Sequence, residues 1–280
     1  MEQLSSTVQQ LNVSQGIISV GLLMSRILGM IFLVPFLGGK LVPTQVKIGI
    51  GLSIGVMIYP IVVSSGGLDP IFHPTGVAYP FAMRMIGFLI KEVFIGFVLG
   101  FIIHTIWDVA QIVGRFVDTA RGSAMGTAIV PQMKSQSSVF GSLYFQLLLV
   151  IFLAMNGHLL FIDYFVRSYV LIPVSAIPRF DTGLWPFFEM IMRVTANLYL
   201  VSIMMSAPIL ISIFVTDACM GLFNKVAPQI NILFLMMPFK AVLGIFFSMV
   251  SLYLFITQGE YLMANTLNYV WIAIQKLIPF

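Results

Sequence analysis

The sequence predicts an all-α membrane protein, and three observations carry that reading. Of the 280 residues, 59% are hydrophobic and 9% are charged, against about 25% charged in soluble domains. The mean hydropathy is +1.04, and a chain so poor in charge cannot cover a water-facing surface. The apolar residues also gather into runs that mostly reach the roughly 20 residues a helix needs to cross a hydrocarbon core. The expected architecture is about six long apolar helices arranged as hairpins. The net charge of +4 is spread along the chain, so nothing resembles a basic nucleic-acid stripe.

The first run, 16–39, follows "MEQLSSTVQQLNVSQ". That leader lacks a basic region and the run is too long for a signal core, so no cleaved signal peptide is expected. The second run, 46–63, is marginal in length and follows "GGKLVPTQVK". The third, 86–107, follows the Gly/Pro-containing "SSGGLDPIFHPTG". Charges sit inside these runs: Arg26 in the first, Lys91 and Glu92 in the third. A charge at mid-bilayer costs roughly 2.5–3.5 kcal/mol on insertion scales. As sequence neighbours, Lys91 and Glu92 point to different sides of a helix and are not expected to pair with each other. Each therefore needs another partner, and contact with a neighbouring subunit or a polar cavity is expected. Snorkelling from a helix end suits Lys240 and Arg26 better.

Residues 118–138, "DTARGSAMGTAIVPQMKSQSS", interrupt the apolar pattern with small residues, a charge pair and a proline. Asp118 and Arg121 stand three apart, close enough to pair on one helical turn. Gly122, Ser123, Ala124, Gly126, Thr127 and Ala128 allow backbone to pack closely in a narrow space. Met125 and Met133 are flexible and apolar, able to seal and re-pack. The competing reading is an ordinary exposed loop.

The remaining runs are 140–162, 194–216 and 230–257, separated by "VRSYVLIPVSAIPRFDTGLWP" and "DACMGLFNKVAPQ". In the second separator, Asn224 and Lys225 are expected to close one helix and Pro228 to open the next, where its missing N–H does no harm. Gln229 and Asn231 then enter an apolar run, where amides seek partners on other helices. Pro238 is expected to kink that helix, and Lys240 follows. The two arms, spanning 194–257 together, should form an antiparallel hairpin. The tail, 258–280, reads as a short interfacial helix with Tyr261, Tyr269 and Trp271 as anchors. Cys219 reads as a small core residue.

The positive-inside rule does not orient the chain. Alternate connections carry Arg84, Arg167, Arg179, Arg193 and Lys276 against Lys40, Lys47, Arg115, Arg121, Lys134 and Lys225, five against six. A bundle not simply threaded through a bilayer needs no such bias. His73, His104 and His158 lie far apart, with no metal-ligand spacing. There is no P-loop, H-E-x-x-H or G-x-S-x-G. No enzyme, cofactor or metal site is expected.

The most distinctive segment is "FNKVAPQINILFLMMPFK". It resembles the FliR/SctT family of flagellar and injectisome type III secretion through Gly221, Leu222, Asn224, Lys225, Ala227, Pro228, Gln229, Asn231, Pro238 and Lys240. The resemblance extends over nearly the whole chain. "GGKLVPTQVKIGIGL", with Pro43 and Lys47, is similar to the family's first interhelical turn. "KEVFIGFVLGF", with Glu92, Gly96 and Gly100, is similar to its acidic, Gly-spaced helix. "VDTARGSAMGTAIVP" resembles the Asp-x-x-Arg-Gly segment of injectisome members, although Thr119 and Ala120 stand where those members often carry Asn-Gln. Asn156, Gly157 and His158 resemble flagellar members. The balance falls on the injectisome side.

The resemblance implies a core export-gate subunit at the mouth of a protein-secretion channel in the bacterial inner membrane, within a helical hetero-oligomer. Its implied partners are two small membrane proteins, FliP/SctR-like and FliQ/SctS-like, the larger export-gate and switch proteins, and secreted proteins in transit. It places residues 122–138 in a loop that plugs the closed pore, with Asp118 and Arg121 as its anchor. The chain is then one membrane-embedded domain: N-terminal helices 1–217 with the plug loop, the hairpin 194–257 and the tail. The rival reading is a stand-alone secondary transporter using Lys91, Glu92 and Arg26 as a coupling or proton-relay site.

Overall fold

The computed structural model describes residues 2–39, 42–64, 80–122, 138–176, 178, 183–229 and 231–278, with side chains described from Gly16 onward except at 38, 64, 232 and 233. Among these residues the protein is all-α. The helices are α1 (Glu2–Ile31), α2 (Pro35–Gly38), α3 (Thr44–Ser64), α4 (Phe81–Ala120), α5 (Val139–Ala154), α6 (Gly157–Leu171), α7 (Trp185–Val226), α8 (Ile232–Val250) and α9 (Leu252–Lys276).

The six apolar runs map onto these helices with interruptions that hydropathy does not show. Three helices are long and apolar enough to cross a membrane, and up to five spans result if each of two bent pairs counts as one. The run 46–63, marginal in length, is one of the three. The run 140–162 breaks between α5 and α6 at Asn156, whose φ of 58° ends one helix before the next begins. The run 230–257 breaks at Ser251, between α8 and α9. The tail is not a separate short helix, because residues up to Lys276 belong to the 25-residue α9. At 40 and 42 residues, α4 and α7 are about 60 Å long at 1.5 Å per residue, twice a hydrocarbon core of about 30 Å.

The chain forms two compact units, each assembled from distant segments. One comprises Met1–His104, His158–Met192 and Thr266–Phe280. Its core joins Leu23, Ile27 and Met30 of α1 to Val62 of α3, Ile95 and Leu99 of α4, Phe161 and Tyr169 of α6, and Val270 and Ile274 of α9. A Cβ on Gly96 would fall on the Arg26 carbonyl, and one on Gly29 would lie 2.7 Å from the Val93 carbonyl oxygen. Only glycine permits α1 and α4 to cross at that separation.

The other unit comprises Thr105–Gly157 and Arg193–Asn265. Tyr144, Leu148 and Phe152 form one buried face of α5 at four-residue spacing. Phe152 meets Trp107 edge-on at 5.4 Å, and Tyr144 stacks on Phe255 at 4.4 Å. The outward surface is apolar too, with Phe214 73% and Phe234 74% exposed. That corrects the reading of Cys219, which is exposed on α7. In a membrane chain, an apolar run has an outer face as greasy as its core, so hydropathy alone does not place a residue inside.

Candidate functional site

In the second unit, α4 and α5 meet at the two ends of the polar interruption. The backbones touch there: a Cβ on Gly114 would fall on the Gly141 backbone. Asp118, in the last turn of α4, accepts hydrogen bonds from both sides of the junction. Arg121 Nη2 donates to its Oδ1 at 2.7 Å, and Ser138 Oγ donates to its Oδ2 at 2.6 Å. The Phe140 amide donates to the same Oδ2 at 3.3 Å. Ser138 also caps α5, its Oγ accepting from the Gly141 amide at 2.8 Å, which satisfies a donor the helix leaves open.

Arg121 lies over the Phe140 ring at 4.5 Å. Gly244 of α8 packs against its stem, a Cβ there meeting Arg121 Cδ at 3.0 Å. Gly122 then leaves the helix with φ +85°, a conformation that favours glycine. One carboxylate thus ties residues 118, 121, 138 and 140 into a staple that closes the base of the intervening segment. The i,i+3 pair was legible in the sequence; Ser138 and Phe140, 20 and 22 residues away, were not. The residues read as the plug itself, Ser123, Ala124, Met125, Gly126, Thr127 and Met133, lie outside the described residues. Asp118→Ala would strand Arg121 and remove acceptors from two donors. A loss of about 1–3 kcal/mol is expected, read as a lower Tm of the detergent-solubilised protein, with Asp118→Asn retaining part of it.

In the first unit, the intramembrane charges form a closed centre. Arg26 donates to Glu92 through Nε at 2.6 Å and Nη2 at 3.0 Å, and both residues are fully buried. Arg26 also donates to Ser168 Oγ at 3.1 Å and to the Ile172 carbonyl at 2.9 Å, and its guanidinium lies 4.2 Å from the Tyr169 ring centroid. Arg26 is therefore no snorkelling residue: although it stands little more than a turn from the end of α1, it faces α4 and α6 and is fully buried. Lys91 and Glu92 do pair, Nζ to Oε1 at 2.8 Å, contrary to the expectation from adjacency. The flexible four-carbon stem of lysine swings its ammonium round the helix to a carboxylate that its Cα does not face. Lys91 Nζ further donates to the carbonyls of Pro173, Val174 and Ala176 at 3.2, 2.6 and 2.9 Å. The partners that both charges required are supplied within the chain.

At the hairpin, α7 ends at Val226 with Lys225 in its last turn. Pro228 does not open the next helix. It lies in the turn, and α8 starts at Ile232 after Asn231, which makes no side-chain cap hydrogen bond. Three residues, 229–231, stand between the proline and the first residue of the helix. Gln229 and Asn231 are exposed at this tip, as are Asn224 and Lys225. α8 runs on through Pro238 to Val250. Lys240 Nζ lies 2.5 Å from Asp217 Oδ1, a pair centred on residues 228 and 229, as an antiparallel reversal there requires.

Residues 17–266 match the family described as bacterial export proteins, family 1. The chain is 29% identical over 240 residues to the secretion system apparatus protein SsaT of Salmonella typhimurium, covering 85% of this chain and 88% of that protein. It is 26% identical over 216 residues to the flagellar biosynthetic protein FliR of Bacillus subtilis, covering 77% and 78%. It is also 26% identical over 233 residues to Yop proteins translocation protein T of Yersinia pestis, covering 83% and 85%.

Proposed function

Because the chain belongs to the bacterial export proteins of family 1, the FliR/SctT family, we propose that it is a gate subunit lining and sealing the mouth of a type III secretion channel. The observation that carries the gating role is the Asp118 staple. A segment whose two ends are tied to one carboxylate can be held across a pore without being pulled out by a passing substrate. Residues 122–138 are the plug, with Gly122, Ser123, Ala124, Met125, Gly126, Thr127 and Met133 as its sealing residues and Asp118 and Arg121 as its anchor. Non-helical backbone at membrane depth is tolerated where it lines a cavity or is buried in protein.

The apparatus is an injectisome rather than a flagellum, on the Asp118–Arg121–Gly122 segment, and it lies in the bacterial inner membrane. Its nearest neighbours are the two small FliP/SctR-like and FliQ/SctS-like proteins, met in part through Gln229 and Asn231, exposed at the hairpin tip. The chain performs no chemistry, and the energy for export comes from other subunits. The burial of Glu92 between Arg26 and Lys91, with no exposure to solvent, favours a structural role over a transporter's coupling site.

Mild-detergent purification of the tagged chain from its own cells tests the assignment. Two unlike small membrane proteins should co-purify in fixed ratio. A monomer or a symmetric homo-oligomer would point to a transporter instead. Removing the gene should abolish effector secretion and leave motility unchanged. The opposite result would assign the chain to a flagellum.

A further inference from the structure

Within the second unit, α8 buries less of itself than its neighbours do. Among its described residues the buried ones are Gly244 and Ser248, one turn apart, while Val242 and Met249 are 67% and 74% exposed. This narrow seam of small side chains meets the Asp118 staple. A Cβ on Gly244 would stand 3.0 Å from Arg121 Cδ and 3.1 Å from its Cβ. The Arg121 guanidinium covers the Phe140 ring at 4.5 Å, and its Nη2 holds Asp118 at 2.7 Å. One turn further along α8, Ser248 stands beside Tyr144 of α5. Arg121 thus lies in a slot with α8 as one wall, and glycine at 244 leaves the slot wide enough for the stem. The hairpin turn after Val226 and the break at Ser251 bound α8, so it can shift as a rod without bending α7 or α9.

We propose that α8 locks and frees the plug through Gly244, a positioning residue for the staple. While α8 lies against the Arg121 stem, the guanidinium is held on Asp118. Once α8 moves away, the stem regains the rotamer freedom that opposes a fixed pairing, and the staple loses its cationic arm. The few buried positions of α8 place it at the low-stability end of the unit, from which moving elements are drawn. This rests on the reading of residues 122–138 as the plug. It adds what releases the plug: the displacement of one helix, rather than the push of a substrate alone.

Gly244→Val tests it in cells carrying the complete apparatus. The branched side chain fills the slot. Resting solute entry should rise roughly tenfold, the shift in a closed–open balance expected from losing about one charge-assisted hydrogen bond. Arg121→Ala should leak to a similar extent. Adding Gly244→Val to Arg121→Ala should leak no further, because no stem is left to displace. A tight Gly244→Val channel, or leaks that add, overturns the proposal. A second variant does not depend on the chain tolerating valine. Arg121→Cys with Gly244→Cys, in a Cys219→Ser background, places two Cβ atoms 3.1 Å apart, near the ~3.8 Å of a disulfide. A membrane-permeant oxidant joins them, and loss of both thiols to alkylation reports the bond. The joined channel should be tight and export should cease; dithiothreitol should restore export and open the leak, since bond and arginine are then both gone. Export that continues with the bond in place, or thiols that do not join, overturns the proposal. The deletion of residues 122–127 is the reference. If it leaks while Gly244→Val stays tight, control by α8 fails and the plug reading stands. If neither the deletion nor Arg121→Ala leaks, the plug reading fails and this inference with it.

Discussion

Deleting residues 122–127 should leave the secretion complex assembled and make it leaky. The deletion removes the small-residue stretch and Met125, yet keeps Asp118, Arg121 and Ser138, so the staple at the base survives. An apolar constriction excludes water and ions by dewetting. Its loss is expected to raise solute and ion entry by roughly tenfold or more in cells expressing the complete apparatus. Met125→Ser should leak in the same direction, more mildly, because one flexible seal is lost while its neighbours remain. If the shortened channel stays tight while secretion continues, the segment is not the plug, and its small residues serve close packing alone.

Glu92→Leu should nearly abolish the folded protein. Glu92 accepts from Arg26 twice and from Lys91 once, with no exposure to solvent. Removing one partner from a buried pair costs about 3–5 kcal/mol because the remaining charge stays buried and unpaired. Against a total stability of about 5–15 kcal/mol, that should cut the abundance of the chain in the membrane roughly tenfold. Arg26→Met combined with Glu92→Met removes both charges and should recover much of the loss, since replacing a buried pair by apolar residues is often close to neutral. Lys91→Leu should cost less than Glu92→Leu: it leaves Glu92 with the two Arg26 hydrogen bonds, although three carbonyls between Pro173 and Ala176 lose their donor. Abundance and Tm in detergent read all three variants. A Glu92→Leu protein with unchanged Tm would show that the charge centre does not hold the unit together.

Both predictions rest on features that the sequence showed only in part. Composition alone determined that this is a helical membrane protein, because no arrangement of 9% charged residues covers a soluble surface. The reversal near Pro228 was legible because Asn, Lys and Pro break an apolar run. The pairing of Asp118 with Arg121 was legible because a helical turn brings i and i+3 together. Periodicity and spacing are local, and these are local facts.

What the tertiary structure decided is where the distant partners lie. Arg26 meets Glu92 across 66 residues and Ser168 across 142, and Asp118 reaches Ser138 across 20. Nothing in a helix pattern specifies such pairings. They follow from which helices cross at Gly29, Gly96 and Gly114, where backbone touches backbone. The same holds for exposure. In this chain both the core and the outer surface are apolar, so the sequence could not tell Cys219 on the outside from Val270 within. Only packing, which covers one apolar face and leaves the other open, separates them.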